Sequence, residues 1–121
     1  HEPGRRAPYP HAGAFERFFD GELDALAGLP VVMRGSDFQR RVWAALRKIP
    51  PGRTVSYAQL AERIGNPRAS RAVGSANGRN PLCIVVPCHR VISADGTLGG
   101  FSAGLDVKRW LLRHEGAAFR A

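Results

Sequence analysis

Sulfur is scarce in this sequence: two cysteines, Cys83 and Cys88, and one methionine among 121 residues. That is too few cysteines for the disulfide framework of a small secreted scaffold, so the thiols are expected to be reduced, in an intracellular compartment, cytoplasmic or nuclear. Acidic residues are scarce too. Ten Asp and Glu face eighteen Lys and Arg, a net charge of +8, which selects a phosphate-bearing partner, nucleic acid first and an anionic membrane surface second. No apolar run approaches the roughly 20 residues that span a bilayer, and no signal-peptide pattern opens the chain, so neither membrane nor export is expected. No internal repeat is present. A zinc site drawing on Cys83, Cys88, His89 and His114 would need a C-x4-C-H spacing that matches none of the usual ligand sets; no metal and no cofactor are expected.

What is present suffices for one domain with one core, since 44% of the residues are hydrophobic. Residues 1–13 are rich in Pro and Gly and read as a flexible arm or linker. Phe15, Phe18, Phe19, Leu23 and Leu26 recur at helical spacing and predict a helix from Ala14 to Ala27. Ser36 with Gln39 is a capping box opening a helix whose apolar face is Phe38, Val42, Ala45, Leu46 and Ile49, ended by Pro50-Pro51-Gly52. The same signature returns at Ser56 and Gln59, for a helix through Ile64 closed by Gly65. Asn66 and Pro67 then suit the N-cap and first position of a helix over 67–77.

Two helices joined by a short Gly-containing turn form a helix-turn-helix, here carrying Arg63, Arg68, Arg71 and Arg79. A plain αα corner with a solvated charged face has the same signature. The second helix, "RASRAVGSANG", is built of small residues apart from its arginines, which lets its backbone approach another surface closely. "LCIVV" (82–86) predicts a short buried strand delivering Pro87, Cys88 and His89, and "VISADGTL" carries the Asp-Gly signal of a tight hairpin. A last helix is predicted from Leu105 to Glu115, with Val107, Leu111 and Leu112 for the core and Gly116 as its cap. Trp43 and Trp110 are read as core.

A free thiol has a pKa near 8.5, so a nucleophilic Cys88 needs a base or a cationic neighbourhood. His89 is adjacent, but neighbours on a strand point to opposite faces, so it would act through a water or a bend. Spacing alone does not select the acid that would orient the imidazole.

"GRTVSYAQLA", "RAVGSANGRNP", "VVPCHRVI", "GTLGGFSAGL" and "KRWLLRHEG" follow one another in an order that resembles the O6-alkylguanine-DNA alkyltransferases, the methylated-DNA–protein-cysteine methyltransferases. The resemblance covers about Phe15 to Gly116. It implies that Cys88 accepts the alkyl group from O6 of guanine in a single-turnover SN2 transfer, with Glu115 orienting His89, His89 deprotonating Cys88 through a water, and Asn80 bracing the turn. It implies that Tyr57 promotes nucleotide rotation and bonds the guanine, that Ser102 donates toward O6, and that the carbonyls of Cys88 and Val91 read the guanine amino group. Arg71 would be the finger filling the gap left by the flipped nucleotide, with Arg68, Ala69, Ser70 and Ser56 as further DNA contacts. Singly, Tyr57 reads as a packed aromatic, Arg71 as a solvated charge, and Glu115 and Asn80 as ordinary surface and turn residues; together around one "PCHRV" they read as a site. Cys83 is read as a buried, inert thiol.

The fold implied is mainly α with a short β hairpin, a winged helix-turn-helix-like alkyltransferase domain over 36–121, preceded at 14–35 by a remnant of the N-terminal region and a connecting helix. Family members carry a further α/β domain; fewer than 40 residues precede "FQRRVW" here, so most of it is expected to be missing. Phe101 stands where many members have Tyr. The implied partner is double-stranded DNA containing O6-alkylguanine, with O4-alkylthymine left open by the resemblance as a second substrate, and the protein a monomer. Two alternatives use the same architecture. A non-repairing lesion sensor would carry Trp at the cysteine position, and a winged-helix regulator would give Tyr57, Asn80 and Glu115 no role.

Overall fold

The computed structural model describes residues 12–80, 82, 84–101 and 103–120. Along them run α1 (Ala12–Phe19), α2 (Asp37–Leu46), β1 (Val55–Ser56), α3 (Tyr57–Arg63), α4 (Ser70–Gly78), β2 (Val91–Ile92) and α5 (Leu105–His114), with one 3₁₀ turn over Cys88–Arg90. Both capping boxes form. The Ser36 and Ser56 hydroxyls each accept from the backbone N–H of the Gln three residues on, and each Gln side chain accepts from its serine's backbone N–H. Each box thus satisfies two backbone amides that a helix start leaves without an intrahelical partner.

The helix-turn-helix packs α2, α3 and α4 around one core. Val42, Trp43 and Leu46 meet Leu60, Ala61, Val73 and Ala76, and the segment from Val86 to Val91 runs through the middle. The Trp43 indole donates to the Ala76 carbonyl at 2.9 Å, satisfying the polar edge of a buried ring. A second cluster seats Ala14, Phe18 and Leu26 against Leu111, so α1 and the turns after it pack on α5.

Several elements differ from the sequence expectation. The first helix stops at Phe19 because Gly21, at φ 112°, takes the left-handed position and the Glu22 N–H reaches back to the Arg17 carbonyl at 2.8 Å, a Schellman ending. α2 ends one turn early, at Leu46, although Ile49 is buried. α4 begins at Ser70, not Pro67: the Ala69 N–H bonds the Asn66 carbonyl at 3.0 Å, so Pro67 fills the second position of a turn.

Among the described residues of 82–86, Leu82, Ile84 and Val85 form bends and turns where a strand is expected. The Val86 N–H folds back on the Leu82 carbonyl at 2.9 Å, and Ile84 sits at φ 79°. The Asp95-Gly96 turn does close, with Ser93 N–H on the Thr97 carbonyl at 2.9 Å. However, β2 finds its sheet partner in β1, in parallel, with Val55 opposite Val91. On α5, Val107 and Trp110 are exposed and Lys108 is buried in their place. Trp43 is core and Trp110 is not. Of the arm, residues 1–11 lie outside the described residues, as do Cys83 and Ser102.

Candidate active site

Cys88 is 2% exposed, and its setting is built by the residues on either side. Pro87 has φ −79° and ψ 69°, and the Cys88 N–H bonds the Val86 carbonyl at 2.7 Å. That is an inverse γ-turn, for which the proline ring presets φ. The Asn80 amide donates to the same Val86 carbonyl at 2.7 Å, while its oxygen accepts from the Leu82 N–H at 2.9 Å. Asn80 therefore ties the end of the helix-turn-helix to the turn that presents the cysteine. Because Cys88, His89 and Arg90 form a 3₁₀ turn, successive side chains are about 120° apart, and the opposite-face argument for a strand does not apply.

His89 is fully buried, and its Nε2 lies 3.0 Å from Glu115 Oε2. Arg90 grips the same carboxylate with two donors, Nε to Oε1 at 3.0 Å and Nη2 to Oε2 at 2.7 Å, while its Nη1 donates to the Ile49 carbonyl at 2.6 Å. Burial lowers the His89 pKa below its usual value, only partly opposed by Glu115, so the ring is neutral at pH 7. For Glu115, burial pushes upward, but the hydrogen bonds from His89 and Arg90 outweigh it and hold the carboxyl below the usual range. A neutral imidazole facing an anionic carboxylate through Nε2 carries its proton there. Nδ1 is then a bare acceptor; it is buried and has no hydrogen-bond partner among the described residues.

Above the sulfur opens a cavity of about 170 Å³, lined by Tyr57, Gly74, Asn77, Gly78, Cys88, Gly100 and Phe101. Tyr57 is half-buried at the start of α3, with Gly100 of the Gly-rich loop bonded to its hydroxyl through the backbone. Burial, and secondarily the field of Cys88, raise its pKa, so it stays a protonated donor at neutral pH. Two glycines make room for the ring. A Cβ on Gly74 would lie 3.7 Å from it, and one on Gly99, at φ 69°, would come within 2.9 Å of the hydroxyl.

The two carbonyls expected to read the guanine amino group already carry donors. Val91 O accepts from Lys108 Nζ at 2.7 Å, and Cys88 O accepts from the Val91 N–H and, at 3.4 Å, from the Asn77 amide. Ser56 spends its hydroxyl on the α3 cap. Outside the cavity, α4 turns Val73, Ala76 and Asn77 inward and leaves Arg71, Ala72, Ser75 and Gly78 facing outward. Arg63, Arg68 and Arg79 of the motif are exposed as well, and Ala69 and Ser70 are half-buried at the turn. Thus Cys88 and Tyr57 line the cavity together with Gly74, Asn77 and Gly78 of α4, while His89, Glu115, Asn80 and Val91 belong to the buried network around the cysteine turn. No three His, Cys, Asp or Glu side chains cluster as a metal site among the described residues.

The sequence patterns above do not single out Lys108, Arg90 or Asn77. One signal was there to find: Lys108, Leu111, Leu112 and Glu115 have the i, i+3, i+4, i+7 spacing of a single helix face.

The family model of the 6-O-methylguanine DNA methyltransferase DNA binding domain matches residues 37–117. A methylated-DNA–protein-cysteine methyltransferase of Shigella flexneri is 54% identical over 99 residues, covering 82% of this chain and 58% of that protein. One from Mycolicibacterium paratuberculosis is 52% identical over 122 residues, covering 95% and 73%. The crystal structure of Mycobacterium tuberculosis OGT in complex with DNA superimposes with a TM-score of 0.79 at 50% identity, over 86% of this chain and 64% of that one. The chain spans less than two thirds of the Shigella relative's length.

Proposed function

Since the chain belongs to the 6-O-methylguanine DNA methyltransferase family through its DNA binding domain, we propose that it repairs O6-alkylguanine in duplex DNA by transferring the alkyl group irreversibly to Cys88. The observation that carries this reading is a buried cysteine opening onto a cavity beside Tyr57, followed in sequence by a neutral histidine whose Nε2 is committed to a carboxylate. His89 Nδ1 takes the Cys88 proton through a water. The thiolate attacks the alkyl carbon, a C–S bond forms as the C–O6 bond breaks, and the Tyr57 hydroxyl hydrogen-bonds the departing guanine. The proton given up by the thiol is the one guanine needs at N1, so the balance is thiol plus O6-alkylguanine to thioether plus guanine. A thioether is a stable end product, so each chain acts once.

A base inside a duplex hides its O6 substituent, and extrusion costs a few kcal/mol. The outer face of α4 suits that work, because its small residues permit close approach to a groove and Arg71 is free to enter the stack. Four arginines between positions 63 and 79, against the single acid Glu62 over 57–79, attract the phosphates. Ser102 lies outside the described residues and keeps its assignment as a donor toward O6 from the resemblance alone. Residues 36–121 form the working unit, with 14–35 as the connecting region. It acts as a monomer in a reducing intracellular compartment, where the thiol persists.

Intact-mass measurement after incubation with duplex DNA containing one O6-methylguanine tests the reading. A gain of about 14 Da, at most once per chain and mapped to the Cys88 peptide, is expected. Binding without a mass change overturns repair and leaves a lesion sensor.

A further inference from the structure

Among the described residues, four charged or titratable side chains other than Cys88 are buried around its turn, and three of them account for one another. Glu115 takes a bidentate pair of bonds from Arg90 and one from His89. Lys108 stands outside that arrangement. It is fully buried on the inward face of α5, yet among the described residues no carboxylate lies within ion-pair distance. Its ammonium donates to two carbonyls, Val91 at 2.7 Å and Gly100 at 3.0 Å, and the Phe101 ring centre is 5.9 Å away. Burying an ammonium against neutral dipoles alone is costly, and an apolar side chain of similar length would serve the core better. A charge retained under that cost needs a counter-charge. Burial drives the Lys108 pKa down to about 8, and the one opposing influence is the field of Cys88.

Among the described residues around the cysteine turn, one buried cation is unmatched by a carboxylate. On that turn, His89 is neutral and Arg90 is spent on Glu115; from α3, Tyr57 is protonated; from α4, Asn77 is uncharged; from α5 come Glu115 and Lys108. Resting on the repair reading above, we propose that Lys108 is a positioning residue whose ammonium is the counter-charge of the Cys88 thiolate and, through the Val91 and Gly100 carbonyls, the clamp that holds the Gly-rich loop against β2. Both roles converge on the cavity: the clamp fixes the wall carrying Gly100 and Phe101, and the charge favours the reactive form of the sulfur. Burial keeps His89 unprotonated, and the Lys108 field acts in the same direction as a smaller contribution.

The test is the pH dependence of Cys88 alkylation by iodoacetamide, a reaction that needs neither DNA nor transfer chemistry, read by the mass of the Cys88 peptide. Replacing Lys108→Met removes the charge and is expected to move the midpoint of reactivity upward by about one to three pH units, the range of a nearby opposite charge. Lys108→Arg keeps the charge and restores most of that movement. An unchanged midpoint in a folded Lys108→Met chain overturns the proposal. If that variant does not fold, the reciprocal measurement stands in, because the coupling is mutual: the NMR titration of the Lys108 side chain falls to lower pH in Cys88→Ser, and equal midpoints overturn it. Transfer from O6-benzylguanine by the parent chain separates the two readings. No transfer together with a moved midpoint overturns repair and leaves the charge pairing, whereas transfer with an unmoved midpoint overturns the pairing alone.

Discussion

The buried floor beneath the cysteine turn and the exposed rim along α4 use the same kind of residue in opposite ways. On the floor, Arg90 is buried with each of its three guanidinium nitrogens hydrogen-bonded, two to Glu115 and one to the Ile49 carbonyl. On the rim, Arg71 is exposed on α4 among Ala72, Ser75 and Gly78, residues too short to hold it. A buried arginine with matched partners is architecture, because moving it strands a charge; a solvated arginine on a helix of small residues is available to something else. The floor is where the protein has fixed its geometry in advance. The rim is where it has left room.

Removing the shared carboxylate strikes that contrast hardest. Glu115→Ala leaves Arg90 charged and buried and frees the His89 ring to turn, and breaking a buried pair in this way costs about 3–5 kcal/mol. Urea unfolding of Glu115→Ala beside Arg71→Ala is expected to show that loss for the first and no more than about 0.5 kcal/mol for the second, a surface change. A floor variant as stable as the rim variant would mean that the buried network is not what holds the cysteine turn.

Arg71→Ala reverses the ranking when activity is read. If the side chain fills the space of an extruded nucleotide, its loss returns part of the few kcal/mol that extrusion costs. Transfer from O6-methylguanine in duplex DNA is then expected to slow by about tenfold, equivalent to about 1.4 kcal/mol in the barrier. Transfer from free O6-benzylguanine, which needs no extrusion, should keep its rate. Equal slowing on both substrates would move Arg71 from the rim to the floor.

The two regions were also unequally legible. Local signals were reliable where a short side chain satisfies its own backbone: both Ser/Gln capping boxes and the Gly65 and Gly116 endings stand as the sequence suggests. The errors fell where long-range packing decides. Val91–Ile92 has an Asp-Gly turn beside it and reads as half of a hairpin, but its ladder partner is 36 residues upstream, which no local pattern reveals. The apolar run 82–86 reads as a strand, yet the Asn80 amide and the Cys88 N–H both bond the Val86 carbonyl, and the described part of the run closes in turns. On α5, choosing Val107 over Lys108 as core followed hydrophobicity instead of helical phase. Phase was the better guide, because Lys108 shares its face with Leu111, Leu112 and Glu115. Buried charge defeats hydropathy, and buried charge is what distinguishes the floor.

Acid provides the finest comparison. His89 has a folded pKa below its ordinary value because burial disfavours the imidazolium. As pH falls below about 6.5, the unfolded chain binds a proton that the folded chain refuses, and stability declines. Glu115 acts in the same direction lower down: its folded pKa is depressed by His89 and Arg90 against the effect of burial, so its contribution is present above about 4.5 and is lost as pH falls through the folded value. Lys108 is opposite in window and consistent in sign, since its folded pKa of about 8 lies below the ordinary 10.5 and the cost of burying its charge is relieved as pH rises between the two. Urea midpoints followed from about pH 7 to about pH 5 are therefore expected to fall for the parent chain and for Arg71→Ala alike. In His89→Gln, which retains a donor for Glu115 but cannot titrate, the upper part of that decline should flatten. A parent slope matched by His89→Gln would place the acid sensitivity on the surface charges and remove the floor's claim to it.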